Sequence, residues 1–99
     1  MAVKSRQLQL APLAELDLED IWRYTVERWS LKQADLYHRD LIGTMEALAR
    51  GEKAGRTCIV RDGYFRYAVG SHVVFYRETE YTIDVIRVLH QRMDIEQHL

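Results

Sequence analysis

The sequence predicts an α+β domain: an N-terminal strand, an antiparallel helix hairpin, then a three-stranded antiparallel meander, with the helices packed on one sheet face. Three observations predict it. Residues 3–10 alternate with the two-residue period of a half-buried strand, and residues 14–48 carry two apolar stripes of helical period. Residues 64–94 are rich in β-branched and aromatic side chains and are broken by two turn signals.

The first strand runs from Val3 to Leu10, with Leu8 and Leu10 on one side and Gln7 and Gln9 on the other. Pro12 suits the first turn of a helix, where its missing N–H costs nothing. Asp17, Glu19 and Asp20 complement the positive end of that helix. Ala14, Leu18, Ile21, Trp22 and Thr25 form its apolar stripe, and it ends near Trp29. Ser30 is placed to cap a second helix over Lys32–Arg50, whose apolar face is Ala34, Tyr37, Leu41, Met45 and Leu48. Gly51 stops it. The short link between the helices makes them an antiparallel pair.

Gly51 to Arg61 reads as a mobile connection, in which Cys58, Ile59 and Val60 either anchor the chain or start the sheet. Tyr64 to Asp94 supplies the meander. Gly70-Ser71 fits a II′ hairpin turn, and charge near Glu78–Glu80 marks the second turn. In the last strand, strict alternation puts Ile83, Val85, Arg87 and Leu89 on one face and Asp84, Ile86, Val88 and His90 on the other. Residues 91–99 form a polar tail in which Met93, Ile95 and Leu99 are spaced to dock. The sheet face away from the helices is then wet or covered by a partner.

A chain of 99 residues is one domain, large enough for one core but not for a deep, enclosed active site as well. No run approaches the roughly 18 apolar residues of a membrane span, and no signal-peptide core is seen. The single Cys58 excludes an internal disulfide and fits a reducing cytosol, so a cytoplasmic location is expected. The net charge of −1 disfavours a general nucleic-acid binder, whose affinity comes mostly from phosphate neutralisation.

Motifs for chemistry are sparse. There is no phosphate loop, nucleophile elbow or paired metal motif, and His38, His72, His90 and His98 are scattered, so neither metal nor cofactor is expected. Arg56 and Arg61 flank Cys58 and would lower its pKa, although a small buried apolar role is the plainer reading. Arg87, set among β-branched residues, requires a carboxylate partner if buried, and Asp17 or Asp20 on the first helix would pin the hairpin to the sheet. The alternative use of this region is a shallow surface of Arg66, Arg77 and His90 that meets an acidic partner. Acid–base cleavage of RNA would employ His90 with arginines as cations, and would require a second titrating group such as His72 close by. Trp22 and Trp29 lie seven apart on one helical face; both fit a core, and Trp29 also fits an exposed interface anchor.

Four stretches resemble the ParE toxins of bacterial type II toxin–antitoxin modules, in the RelE/ParE superfamily. They are AELDLEDIWRYTVERWS (Ala14–Ser30), QADLY (Gln33–Tyr37), GSHVVFYR (Gly70–Arg77) and VIRVLHQRMD (Val85–Asp94). The resemblance implies a non-enzymatic inhibitor of DNA gyrase, held inactive in a hetero-oligomer, expected to be a heterotetramer, with a ParD-like antitoxin. It implies no catalytic residues, no sequence-specific nucleic-acid contact and no membrane. The antitoxin interface is expected at Trp29, Arg66, Arg77 and Arg87, and the gyrase contact at His90, Arg92, Met93 and Leu99. The runner-up is the superfamily's RelE-like branch of ribosome-dependent mRNA endonucleases. That branch is usually basic and carries cations on the sheet. Here Val73 stands about where an Arg is usual, and no Tyr follows Tyr81.

Overall fold

The computed structural model describes residues 5–99. The elements, in order, are β1 (Gln7–Leu10), α1 (Pro12–Arg28), α2 (Leu31–Ala49), β2 (Arg56–Thr57), β3 (Phe65–Val69), β4 (His72–Glu78), β5 (Thr82–His90) and α3 (Ile95–His98). They form one five-stranded sheet in the order β1-β5-β4-β3-β2, with β1 parallel to β5 and the other neighbours antiparallel. The expected α+β architecture is present. The part of the first strand expected at Val3 and Lys4 lies outside the described residues.

Local chemistry sets the helix bounds. Pro12 opens α1. The Ser30 side chain accepts from the Gln33 N–H at 3.0 Å and caps α2. Gly51, at φ +78°, turns the chain out of α2. The hairpin packs on the sheet through Ala14, Leu18, Leu41, Met45 and Leu48, which meet Val74, Tyr76, Ile83, Val85 and Val88.

Two expectations are corrected. The Gly51–Arg61 connection is fixed at several points, not mobile. The Gly55 N–H donates to the Tyr76 hydroxyl at 2.7 Å, β2 pairs with β3, and Cys58 is buried, while Ile59 stays 98% exposed. A Cβ on Gly55 would lie 2.5 Å from that hydroxyl, so this close approach requires glycine. The alternation expected in β5 also fails after Val85. Tyr76 pairs with Val85 but Phe75 with Arg87, so Ile86 is an extra residue in a β-bulge. The bulge shifts the pattern by one. Val88 joins Ile83 and Val85 beneath the helices, and Leu89 turns to the opposite face.

That opposite face carries a second, smaller core of Cys58, Val73, Phe75 and Leu89. Ile95 and Leu99 of the tail pack against it, as their spacing suggested. The chain's own C-terminal segment therefore covers part of the face expected to be wet or partner-covered.

Candidate functional site

Two surfaces gather the polar residues with chemical potential. The first is a cleft of about 580 Å³ at the hairpin tip, lined among others by Tyr24, Arg28, Trp29, Tyr37, His72 and His90. Trp29 occupies the C-cap of α1 with a non-helical backbone and is 71% exposed. Trp22 is 36% exposed and lines a separate groove with His38 and Ile42, so neither tryptophan is a core residue.

Tyr37 fastens this end of the molecule. Its hydroxyl bonds the Val69 carbonyl at 3.0 Å and His72 Nδ1 at 2.7 Å, and accepts the Ser71 N–H at 3.2 Å. One side chain of α2 thus holds the whole β3–β4 turn. The turn runs through Gly70 at φ +55°, as the II′ expectation requires, and a Cβ there would meet the Tyr37 ring at 2.8 Å. Burial raises the Tyr37 pKa, so it remains a phenol.

His72 and His90 are cross-strand partners, with rings 5.3 Å apart in an edge-to-face arrangement. The proximity that an acid–base pair would need is therefore present. The two rings are not equivalent, however. The Arg92 N–H donates to His90 Nδ1 at 3.1 Å, which puts the proton of the neutral ring on Nε2. Burial, and secondarily the charge of His90, lowers the His72 pKa from 6.5 to about 4. His72 is thus neutral near pH 7, with Nδ1 committed to Tyr37.

A pH dependence follows. The unfolded chain binds a proton at His72 near pH 6.5 and the folded chain only near pH 4. Stability is then fully present above the unfolded value and declines as pH falls towards the folded one. Allowing for solvent in the open cleft, we expect a loss of about 1–2 kcal/mol across that window. Urea unfolding of the wild type and His72→Asn at several pH values measures it, and the variant should lose most of the slope.

The second surface is the sheet face away from the hairpin. Arg66 stands opposite Phe75 in register and Arg56 opposite Arg66, so all three share this face. The Arg66 guanidinium lies 5.6 Å from the Phe75 ring centre. Arg77 and Arg61 flank Tyr64, at 5.6 and 5.4 Å. Among the described residues no Asp or Glu carboxylate is in ion-pair range of Arg56, Arg61, Arg66 or Arg77, although Arg61 Nη1 donates to the Leu99 main-chain oxygen. Arg66 and Arg77 therefore share a surface as expected, but His90 does not. It faces the hairpin side with His72, because the bulge turned it there.

Arg87 serves the fold. Its guanidinium forms a two-point pair with Asp17 at 2.8 and 2.9 Å and also donates to the His98 carbonyl at 3.1 Å. Of the expected gyrase-contact residues, Arg92 and Met93 are exposed, His90 lines the cleft, and Leu99 packs on the second core. Sequence reasoning missed the Tyr37 latch and the contribution of Arg56 and Arg61 to the arginine face. Gly70-Ser71 was the one available signal for the former. No group of three or more His, Cys, Asp or Glu among the described residues is placed to hold a metal, and no described helix is long and apolar enough to cross a membrane.

The topology, a helix hairpin on a sheet with β1 parallel to β5, is the RelE/ParE-like fold. It superposes on the "Chromosomal ParDE TA system from P. aeruginosa" with a TM-score of 0.76 at 18% identity, covering 86% of this chain and 95% of that one. The "toxin-antitoxin complex RelBE2" of Mycobacterium tuberculosis matches with a TM-score of 0.59 at 18% identity, over 89% and 100% of the two chains. At those identities the likeness concerns the fold. Sequence carries the family further. Residues 8–95 match the family model described as "ParE toxin of type II toxin-antitoxin system, parDE". "Toxin ParE1" of Mycobacterium tuberculosis is 46% identical over 99 residues, covering 98% of this chain and 100% of its own. "Toxin ParE1" of Caulobacter vibrioides is 45% identical over 92 residues, covering 92% and 95%. The chain belongs to the ParE toxin family of type II toxin–antitoxin systems.

Proposed function

We propose that this toxin acts in the cytoplasm by binding DNA gyrase and blocking replication, without bond-breaking chemistry of its own. Family membership over residues 8–95 is the observation that carries the reading. The site geometry supports it: His72, the cross-strand partner of His90, has its Nδ1 engaged by the Tyr37 hydroxyl. Purified chain should inhibit gyrase supercoiling or accumulate cleaved DNA. No effect at micromolar excess over gyrase counts against the proposal. Gyrase contact is assigned to the exposed Arg92 and Met93, with His90 at the cleft, while Leu99 packs on the second core.

A ParD-like antitoxin, in a hetero-oligomer, would neutralise it. Coupled folding of such a segment needs exposed apolar anchors with charged neighbours, which Trp29 beside Arg28 offers at the hairpin tip. Arg66 and Arg77 are the candidate partners for its acidic side chains, whereas Arg87 has its fork occupied by Asp17. Trp29→Ala should weaken the toxin–antitoxin complex by about 2 kcal/mol, as removal of an aromatic anchor typically does. Unchanged affinity by calorimetry would place the interface elsewhere.

The close approach of His72 and His90 favours one second reading, a ribosome-dependent mRNA endonuclease. It requires messenger cleavage in a cell-free translation system and its disappearance in His90→Ala.

A further inference from the structure

We propose that the sheet face away from the helix hairpin is a binding site for the phosphodiester backbone of DNA, held by Arg56, Arg61, Arg66 and Arg77. The inference rests on the gyrase reading only in supplying the setting, an enzyme that already holds DNA. The site itself rests on charge and register.

Charge is segregated along this chain. Between residues 53 and 77, Lys53, Arg56, Arg61, Arg66 and Arg77 face Asp62 alone, a net +4 in a protein whose total is −1. The helix hairpin, residues 12–49, has eight carboxylates and four basic side chains, a net −4. Residues 78–99, with two basic and five acidic side chains, carry a net −3, so the positive charge is a local patch within residues 53–77 and not a property of the whole sheet side. Such a patch, set apart from the acidic hairpin, is the part of this surface that attracts a polyanion.

The arginines are also arranged at a cost. Arg56 and Arg66 stand directly opposite one another in the β2–β3 ladder, and like charges in that position destabilise the pair. Neither has a carboxylate partner among the described residues. Asp84 is the cross-strand partner of Arg77, yet it lies outside ion-pair range. An anion with two free oxygens placed between Arg56 and Arg66 removes the repulsion. The aromatic rings of Phe75 and Tyr64 lie against three of the guanidinium groups, which limits their freedom; Arg66 and Arg77 keep their N–H donors for a ligand, and Arg61 keeps those not given to Leu99. Four such groups, spread over β2, β3, β4 and the loop before β3, exceed what a single acidic side chain requires and suit a repeating anion. Backbone phosphates present that repeat irrespective of base sequence. Ile59, exposed beside Arg56, is what an acidic peptide would use instead, so the peptide forms a separate arm of the test.

Fluorescence anisotropy of labelled DNA duplexes, titrated with the full chain, reads the proposal directly. Four phosphate contacts give a slope of log affinity on log salt of about −3.6, hence about a hundredfold weakening between about 50 and 200 mM salt. Two duplexes of unrelated sequence should bind alike. Arg66→Gln with Arg77→Gln should reduce the slope to about −1.8, and Arg66→Lys, which keeps the charge, should preserve it. Arg39→Gln on the hairpin should change nothing. Circular dichroism and a urea midpoint establish that each variant is folded. Absence of duplex binding at the lowest salt overturns the proposal. So does a wild-type slope in the double variant, or binding of a polyglutamate peptide without binding of DNA. Gyrase inhibition measured on the same preparation separates the two readings. Inhibition without duplex binding refutes the phosphate site alone, and duplex binding without inhibition refutes the gyrase reading alone.

Discussion

Asp17→Asn is expected to cost about 3 kcal/mol of folding stability, the usual range for breaking a shielded ion pair by removing one partner. In a domain of this size that lowers the thermal midpoint by roughly 15 °C. The size of the effect comes from where Asp17 sits. The parallel pairing of β1 with β5 ends at Leu10 opposite Val85, which leaves the rest of the β5 edge without a neighbouring strand. Asp17 replaces that strand: one carboxylate oxygen accepts both the Val88 N–H and Arg87 Nε, and the other accepts Arg87 Nη2. The two side chains are only 16% and 13% exposed. The pair also holds the Arg87 proton more tightly, chiefly through the hydrogen bond to Asp17. Asparagine retains an acceptor for Val88 but leaves the Arg87 charge uncompensated. Asp17→Leu combined with Arg87→Met should recover most of the loss, because a packed apolar pair tends to match a buried ionic one. Urea unfolding of the three proteins tests this. If the double variant is no more stable than Asp17→Asn, Asp17 acts mainly by capping the strand edge, and the charge pair is secondary.

Which of these features the sequence announced follows a physical rule. Features set by neighbouring residues were legible: Pro12 and Ser30 at the helix starts, Gly51 at a helix stop, Gly70-Ser71 at a two-residue turn. The need of Arg87 for a helix carboxylate was legible too, because an arginine between β-branched residues has few other options. Features set by register between distant segments were not. The bulge at Ile86 has no local signature, being a compromise between packing Val88 under the helices and Leu89 under the tail. Once it is missed, His90 is assigned to the wrong face and grouped with Arg66 and Arg77. The closeness of His72 to His90 depends on the same register. Arg56 escaped notice as a site residue because β2 is only two residues long, and its place opposite Arg66 is fixed from outside, by the Gly55–Tyr76 hydrogen bond.

Truncation after Gln91 is expected to be nearly as damaging, with a loss of about 3 kcal/mol, and this changes how a C-terminal gyrase contact can be examined. The removed segment is structural as well as exposed. Ile95 and Leu99 cover Cys58, Val73, Phe75 and Leu89, of which Phe75 is only 1% exposed and Leu89 2%. Uncovering even the equivalent of one to two such side chains forfeits about 1.5–3 kcal/mol each. Arg87 loses the His98 carbonyl and Arg61 the Leu99 carbonyl at the same time. Toxicity, antitoxin binding and the urea midpoint should therefore fall together, and lost toxicity alone would say nothing about contact. Arg92→Ala with Met93→Ala separates the two roles. Both side chains are exposed, so stability should stay within about 0.5 kcal/mol while gyrase inhibition drops. A truncated chain that keeps the full urea midpoint would mean that the second core needs no cover. An Arg92/Met93 double variant that inhibits gyrase like the wild type would move the contact to another surface, with the His90 cleft and the arginine face the next to be mutated.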